Sequence, residues 1–274
     1  MNQKTGYDAL PATASAQELL SALRRLAEEA GDVVLEYYAQ GDAVEVRDKA
    51  DASPVTAADE ACEAFILDAL KRLTPNIPII SEEAAEAGEL PEVASGGRFW
   101  LVDPLDGTKE FLSRNGEFTV NIALIERRQA VAGVVHAPAL RKTWLGTRLE
   151  GEQRAFHGKN DEELVAIRTR SLPTEGATIV ASRRHGSGGE LDSFLARYQV
   201  KDRVSAGSSL KFCLLASAEA DIYPRFGRTM EWDTAAGQAV LEAAGGRVET
   251  LEGRPLTYGK QGFENPHFIA YGSR

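Results

Sequence analysis

The 274-residue chain is predicted to adopt a mixed α/β fold, an α+β N-terminal half followed by an α/β C-terminal half. Two segments near the middle, FTVNIALIE (118–126) and AVAGVVH (130–136), read as strands of a β-hairpin joined through Arg127-Arg128-Gln129. Ahead of them lie two long segments with apolar residues at helical spacing. Beyond residue 177, short apolar runs alternate with helical patterns, as strands separated by helices do.

In chain order, residues 1–14 read as a flexible tail. Ser15 and Glu18 have the spacing of a capping box, and Leu19, Leu20, Leu23, Leu26, Ala27, Ala30, Val33 and Val34 continue a helix. A second helix starts at Thr56, where TAAD (56–59) has the pattern of a capping box, carries Ala61, Phe65, Ala69 and Leu70, and stops before Pro75. IPII (77–80) is a short strand ahead of Ser81-Glu82-Glu83, and the small, acidic, Gly-rich stretch 84–97 is a mobile loop. The strand Phe99–Asp103 and the hairpin follow, then a strand from Trp144 to Arg148. The polar, turn-rich stretch 151–176 divides the chain into subdomains 15–152 and 153–274. The second contains strands near 178–181, 221–223 and 247–251, and helices near 190–198, 208–217 and 234–243. Ala235-Ala236-Gly237 allow the last helix to approach its neighbours closely, and Gly245-Gly246 end it.

Lys and Arg total 31 against 41 Asp and Glu, a net charge of −10, which excludes a protein that wraps nucleic acid. An anionic substrate stays admissible, because a metal cluster supplies local positive charge. Cys62 and Cys213 lie in apolar helical patterns and read as buried thiols of a reducing compartment, with no zinc-site spacing. The N-terminus lacks the basic start and apolar core of a secretory signal, and no apolar run approaches the ~20 residues that span a bilayer. The expectation is a cytoplasmic protein with no membrane span.

Carboxylates recur at the ends of apolar elements: Asp59, Glu82, the pair Asp103/Asp106, and Asp233. A single carboxylate at such a place is ordinarily a cap or a solvated turn residue. The pair in WLVDPLDGTKEF (100–111) is different, because two ionised carboxylates bracketing a Pro-Leu turn repel. A shared proton, a cationic side chain or a metal offsets that repulsion. Hard cations such as Mg²⁺ take oxygen ligands, to which the turn adds the Leu105 carbonyl. Gly107 and Thr108 then open a short helical segment, TKEFL, whose amides face a phosphate. The D-x-D-G-T motif of haloacid-dehalogenase-type phosphatases is excluded: here the aspartates are one residue further apart and lose their common side of an extended chain.

SEE (81–83), DPLDGT (103–108) and EWDTAAG (231–237) resemble the motifs of the lithium-sensitive, magnesium-dependent phosphatases of the inositol monophosphatase superfamily, over nearly all of residues 16–274. Lys109-Glu110-Phe111, RNGEFTVNIAL (114–124), SPVTAAD (53–59), AGSSLKFCLLA (206–216) and YPRFG (223–227) resemble its CysQ-type 3'(2'),5'-bisphosphate nucleotidase branch. The resemblance implies a layered αβαβα sandwich of the inositol monophosphatase/sugar phosphatase type, with an N-terminal metal-binding and a C-terminal substrate subdomain. It implies removal of the 3'-phosphate of 3'-phosphoadenosine 5'-phosphate by in-line attack of metal-activated water, with two or three Mg²⁺ ions. The implied metal ligands are Glu82, Asp103, the Leu105 carbonyl, Asp106 and Asp233. Asp59, Thr108 and Glu82 are the implied catalytic residues, Asp59 and Thr108 positioning and deprotonating the water. Gly107 and Thr108 fall on the phosphate-holding amides, and His185, Ser208, Lys211 and Arg225 on the nucleotide side. Lys211 sits in the first turn of a predicted helix, where a cation opposes the dipole unless an anion is near.

Two other readings remain: an inositol or sugar monophosphate phosphatase of the same superfamily, and, more remotely, a non-catalytic nucleotide- or metal-binding regulator. Asp59 with Thr108 disfavours the regulator, since binding alone needs no water-activating pair. The partner is a small-molecule nucleotide bisphosphate, and a homodimer is compatible with the sequence. Peripheral association with the inner membrane is implied by the resemblance only; no basic amphipathic helix supports it. Trp100, Phe111 and Trp232 are read as core rather than as platforms for a base.

Overall fold

A computed structural model describes residues 6–11, 13–41, 46–48, 54–93, 96–181 and 189–273. Helix α1 (Ala16–Tyr38) begins at the predicted capping box: Ser15 N–H donates to the Glu18 carboxylate at 2.8 Å, and Glu18 N–H to Ser15 Oγ at 3.2 Å. The described residues 6–11 before it are docked rather than loose. Tyr7 is buried with its hydroxyl donating to Glu29 at 2.8 Å, and Leu10 N–H donates to Leu73 O at 2.9 Å. Strands β1 (Val46–Asp48) and β2 (Pro54–Thr56) pair antiparallel ahead of α2 (Ala57–Leu73).

Strand β3 (Ile79–Ser81) leads directly into α3 (Glu82–Glu86), so residues 84–86 are helical where a loop was expected. Strand β4 (Phe99–Asp106) does not stop at Asp103. Its pairing with β5 (Thr119–Glu126) reaches Asp103↔Asn121, skips Pro104 and Leu105, and resumes at Asp106↔Thr119. Proline cannot donate to the ladder, so the chain bulges there. Helix α4 (Thr108–Leu112) follows. Strand β6 (Gln129–Ala137) returns from β5 through Arg127 and Arg128, at φ 49° and 66°, a two-residue turn that leaves Gln129 in the strand. Strands β7 (Lys142–Thr147), β8 (Arg154–Lys159) and β9 (Val165–Ala166) complete a seven-stranded sheet in chain order, β3 parallel to β4 and the rest antiparallel. This sheet therefore extends through Ala166, beyond residue 152.

The second sheet contains β10 (Ala177–Ala181), β11 (Val200–Ser205), β12 (Ile222–Arg225), β13 (Arg247–Thr250) and β14 (Phe268–Tyr271), in the order β11-β10-β12-β14-β13. β10 runs parallel to β11 and β12, and β14 runs against β12 and β13. Helices α5 (Gly189–Leu195), α6 (Leu210–Ala216) and α7 (Glu231–Ala243) alternate with these strands.

The apolar faces stack the elements as α–β–α–β–α. Leu23, Leu26, Ile66 and Leu70 of α1 and α2 cover one face of the first sheet at Trp100, Val120 and Ile122. α6 and α7 fill the space between the sheets, with Phe212, Leu215, Ala236 and Val240 packed among Leu101, Ala123, Tyr223 and Phe268. Leu191, Phe194 and Leu195 of α5 cover the outer face at Ile179, Ile222 and Ile269. Each fully buried Leu, Ile or Phe contributes roughly 1.5–3 kcal/mol. Trp100, Phe111 and Trp232 are core residues, and both cysteines are buried free thiols, as expected.

Helix α7 lies unusually close to its neighbours. A Cβ on Gly133 would sit 2.9 Å from Ala239 Cβ, one on Gly146 2.6 Å from Val240 Cα, and one on Gly237 2.4 Å from the Phe212 ring. Ala236 and Gly237, predicted to permit close approach, do so, and Gly133 and Gly146, which the sequence reading did not name, seat the helix from the sheet side.

Candidate active site

The carboxylates at element ends converge where α2, α3, β4, α4, α6 and α7 meet. Glu82 opens α3, Asp103 sits on β4 before the bulge, and Asp233 lies in the first turn of α7. One oxygen from each lies within 4.8 Å of the others. Asp103 is buried, and its Oδ1 accepts the Leu105 N–H at 3.0 Å, closing the Pro-Leu turn on itself. Asp233 accepts the Met230 N–H at 2.8 Å, so the contact that starts α7 also aims its carboxylate. Burial first, then the charges of Asp106 and Glu82, push the Asp233 carboxyl up to about 8. Three carboxylates from distant parts of the chain, all oxygen donors and mutually repelling, are the donor set a hard divalent cation takes. The residues present fit Mg²⁺.

Asp106 stands beside this cluster and is held differently. Its Oδ2 accepts from Thr119 Oγ1 at 3.4 Å and from Asn121 Nδ2 at 3.2 Å. The resumed register after the bulge puts Thr119 opposite it, while Asn121, two residues further along β5, is paired with Asp103 and reaches across to it. Burial raises the Asp106 carboxyl, while Lys211 and the Asn121 amide pull it down. The Leu105 carbonyl is 3.5 Å from Thr108 Oγ1.

Asp59 serves two neighbours with its two oxygens. Oδ2 accepts from Thr56 N–H at 2.8 Å and Thr56 Oγ1 at 2.6 Å, the capping box expected at the start of α2. Oδ1 accepts the Thr108 hydroxyl at 3.3 Å. The cap thus aims a buried carboxylate at the start of α4. Gly107 caps α4 at φ 93°, and a Cβ there would meet Ser208 Oγ at 2.1 Å. Only glycine fits both the conformation and the space.

Ser208, expected on the substrate side, lines the cleft and also ties the halves together. Its Oγ lies 2.8 Å from both Asp106 O and Glu117 O, and the residue is held at φ 48°. Lys211 is buried, not solvated: Nζ donates to Ser208 O at 2.6 Å and Ala206 O at 3.3 Å. Burial lowers its pKa to about 8 against the pull of Asp106. Arg225, at the end of β12, donates to Arg228 O at 3.0 Å, and its buried Nε has no hydrogen-bond partner. Lys109, Glu110, Ser208, Lys211 and Arg225 line one cleft together with Asp106 and Asp233. His185 lies outside the described residues.

Sequence reasoning missed the supports of this site. Asn121 Nδ2 also reaches Ser209 Oγ at 3.0 Å, and Ser209 Oγ donates to Asp233 O at 2.8 Å, which links the carboxylates of β4 and α7. Glu63, on α2, is not singled out by the sequence reading. The one available signal was two acids, Asp59 and Glu63, four apart on an apolar helix, where like charges repel.

Layered fold and acidic cluster together define a phosphatase of the inositol monophosphatase class, and the chain belongs to that family, whose profile matches residues 15–270. Among its relatives, the 3'(2'),5'-bisphosphate nucleotidase CysQ of Escherichia coli O157:H7 is 44% identical over 253 residues, 91% of this chain and 98% of that protein. CysQ of Haemophilus influenzae is 30% identical over 94% of each chain. The crystal structure of CysQ from Bacteroides thetaiotaomicron matches with a TM-score of 0.77 and 34% identity, covering 94% of this chain and 98% of that one. An inositol monophosphatase from Zymomonas mobilis matches at 0.74 and 26%, covering 95% of both chains. Among the described residues, no helix is long and apolar enough to cross a membrane.

Proposed function

We propose that this chain is a Mg²⁺-dependent 3'(2'),5'-bisphosphate nucleotidase that converts 3'-phosphoadenosine 5'-phosphate to AMP and phosphate. The observation that carries the reading is the convergence of Glu82, Asp103 and Asp233 beside a cleft lined by Lys109, Lys211 and Arg225. Carboxylates suit the metal, and three cations suit a substrate with a second phosphate group. Full-length likeness to CysQ nucleotidases supports the same choice.

Two or three Mg²⁺ ions would be held by Glu82, Asp103, the Leu105 carbonyl, Asp106 and Asp233. Bound Mg²⁺ supplies charge neutralisation at the phosphoryl oxygens and lowers the pKa of the attacking water. Thr108 Oγ1 takes a proton from that water while giving its own to Asp59 Oδ1, the acceptor 3.3 Å away. The resulting hydroxide attacks phosphorus in line as the bond to the 3'-oxygen breaks, and that oxygen is protonated from solvent. The Gly107 and Thr108 amides hold the phosphoryl oxygens. Lys211 and Arg225 face the remainder of the nucleotide.

The test is phosphate release from 3'-phosphoadenosine 5'-phosphate, inositol 1-phosphate and fructose 1,6-bisphosphate, with Mg²⁺ and with EDTA. The nucleotide should be the best substrate, and EDTA should abolish turnover. Equal or faster cleavage of the inositol ester would establish the monophosphatase reading instead. Activity that survives EDTA would remove the metal from the mechanism.

A further inference from the structure

Helix α3 carries Glu82 as its first residue, yet its N-cap, Ser81, makes no side-chain cap bond. The work of the cap is done from another element. Glu63 on α2 is 6% exposed, and its carboxylate receives Ser81 Oγ at 2.6 Å and Ala84 N–H at 3.2 Å on Oε1, and Glu83 N–H at 3.1 Å on Oε2. These three donors flank Glu82 on both sides. A five-residue helix has too few internal bonds to hold its own first turn. A buried carboxylate accepting from the residues before and after Glu82 fixes that turn against α2.

We propose that Glu63 is a positioning residue that holds Glu82 in its metal-binding orientation by capping α3 from α2. The proposal rests on the reading of Glu82 as a metal ligand. Every contact that Glu63 makes in this cap is as an acceptor, so Glu63→Gln, of equal size, sets an NH₂ group against at least one donor. The strain falls on the two amides and one hydroxyl that bracket Glu82. Partners that orient metal ligands are worth about 10–100-fold in metal affinity or activity.

Mn²⁺ alone, titrated into metal-free protein and followed by the electron paramagnetic resonance of the free ion, reads the effect without catalysis. E63Q should raise the Mn²⁺ Kd about 10–100-fold, and the Mg²⁺ activation constant likewise. KM for the nucleotide at saturating Mg²⁺ should stay within about twofold. On an E82Q background, E63Q should add less than about twofold, because both changes act on one ligand. An unchanged Mn²⁺ Kd in folded E63Q, or full additivity with E82Q, overturns the proposal. If E63Q does not fold, Ser81→Ala decides: a Kd raised about 2–10-fold supports it and an unchanged Kd overturns it. Failure of the wild-type protein to bind Mn²⁺ would instead strike the metal-site reading itself.

Discussion

Asp233→Asn should make the metal-free protein more stable while destroying its response to Mg²⁺. Asp233 is pushed from an ordinary 3.8 up to about 8 by burial and by Asp106 and Glu82. The shift is upward, so the group's stabilising contribution is complete below pH 3.8, declines as pH rises, and is gone above about 8. One pKa unit corresponds to about 1.4 kcal/mol, so by pH 7, where the unfolded group is ionised and the folded one still mostly protonated, about 4 kcal/mol of the stability present in acid has been lost. Water screening at the part-exposed side chain, and relaxation of the neighbouring carboxylates, reduce what one substitution recovers to about 1–3 kcal/mol. Asparagine keeps an oxygen for the Met230 N–H, so the start of α7 is preserved. Thermal unfolding at pH 7.5 in EDTA should place the variant about 3–9 °C above wild type. Saturating Mg²⁺ should reverse the order, since a ligand at 100 times its Kd stabilises by about 2.7 kcal/mol and the variant forgoes that gain. A variant that melts below wild type in EDTA, or a metal-free wild type whose melting point does not fall between pH 5 and 8, would refute the electrostatic argument.

Three further outcomes follow from the geometry. Gly107→Ala should lower stability by about 1–3 kcal/mol and kcat at least tenfold, since the new methyl meets Ser208 Oγ and the backbone is left-handed there. Chemical denaturation and steady-state kinetics measure both. Thr108→Ala and Asp59→Asn should each lower kcat about 10²–10⁴-fold with the Mn²⁺ Kd within threefold; a Kd that moves in step with kcat would make the pair structural. His136, buried with Nδ1 2.9 Å from Thr143 Oγ1, is pushed down to about 4 from 6.5 by burial. Its contribution is complete above pH 6.5 and is lost as pH falls toward 4, up to roughly 3 kcal/mol. Denaturant titrations should show His136→Asn flattening the acid limb of stability; an unaltered slope removes His136 from its causes.

The strand-turn-helix at residues 99–112 was legible because its chemistry is local: an apolar run, a proline, a glycine and a threonine each carry their own conformational instruction. The capping boxes at Ser15 and Thr56 were legible for the same reason. The end of β4 was not, because pairing past the bulge depends on Thr119 and Asn121 in another strand. β9 and β11 also escaped: Val165, Ala166 and most of β11 face water at sheet edges, so they show no alternation of apolar and polar residues. β8 sits just inside one edge, with only Ala155 and Gly158 buried, too few to mark a strand. Lys211 was placed correctly in the first turn of α6, but neither its burial nor its carbonyl partners can be read from neighbours in sequence. Glu63 and Asn121 hold segments they never adjoin along the chain, the start of α3 and the Asp106 carboxylate, and the folded contacts expose what the sequence at most hints at.

The glycine seats beneath α7 have a consequence for reading natural variation in this chain. Gly146 belongs to β7 and touches the helix at Val240, about two turns beyond Asp233. A methyl group there would tilt or slide the rod that carries the carboxylate, leaving every acidic residue intact in the gene. A survey that scores variants by the acidic motifs alone would pass such an allele as functional, whereas the enzyme it encodes would carry its full set of carboxylates at the wrong depth.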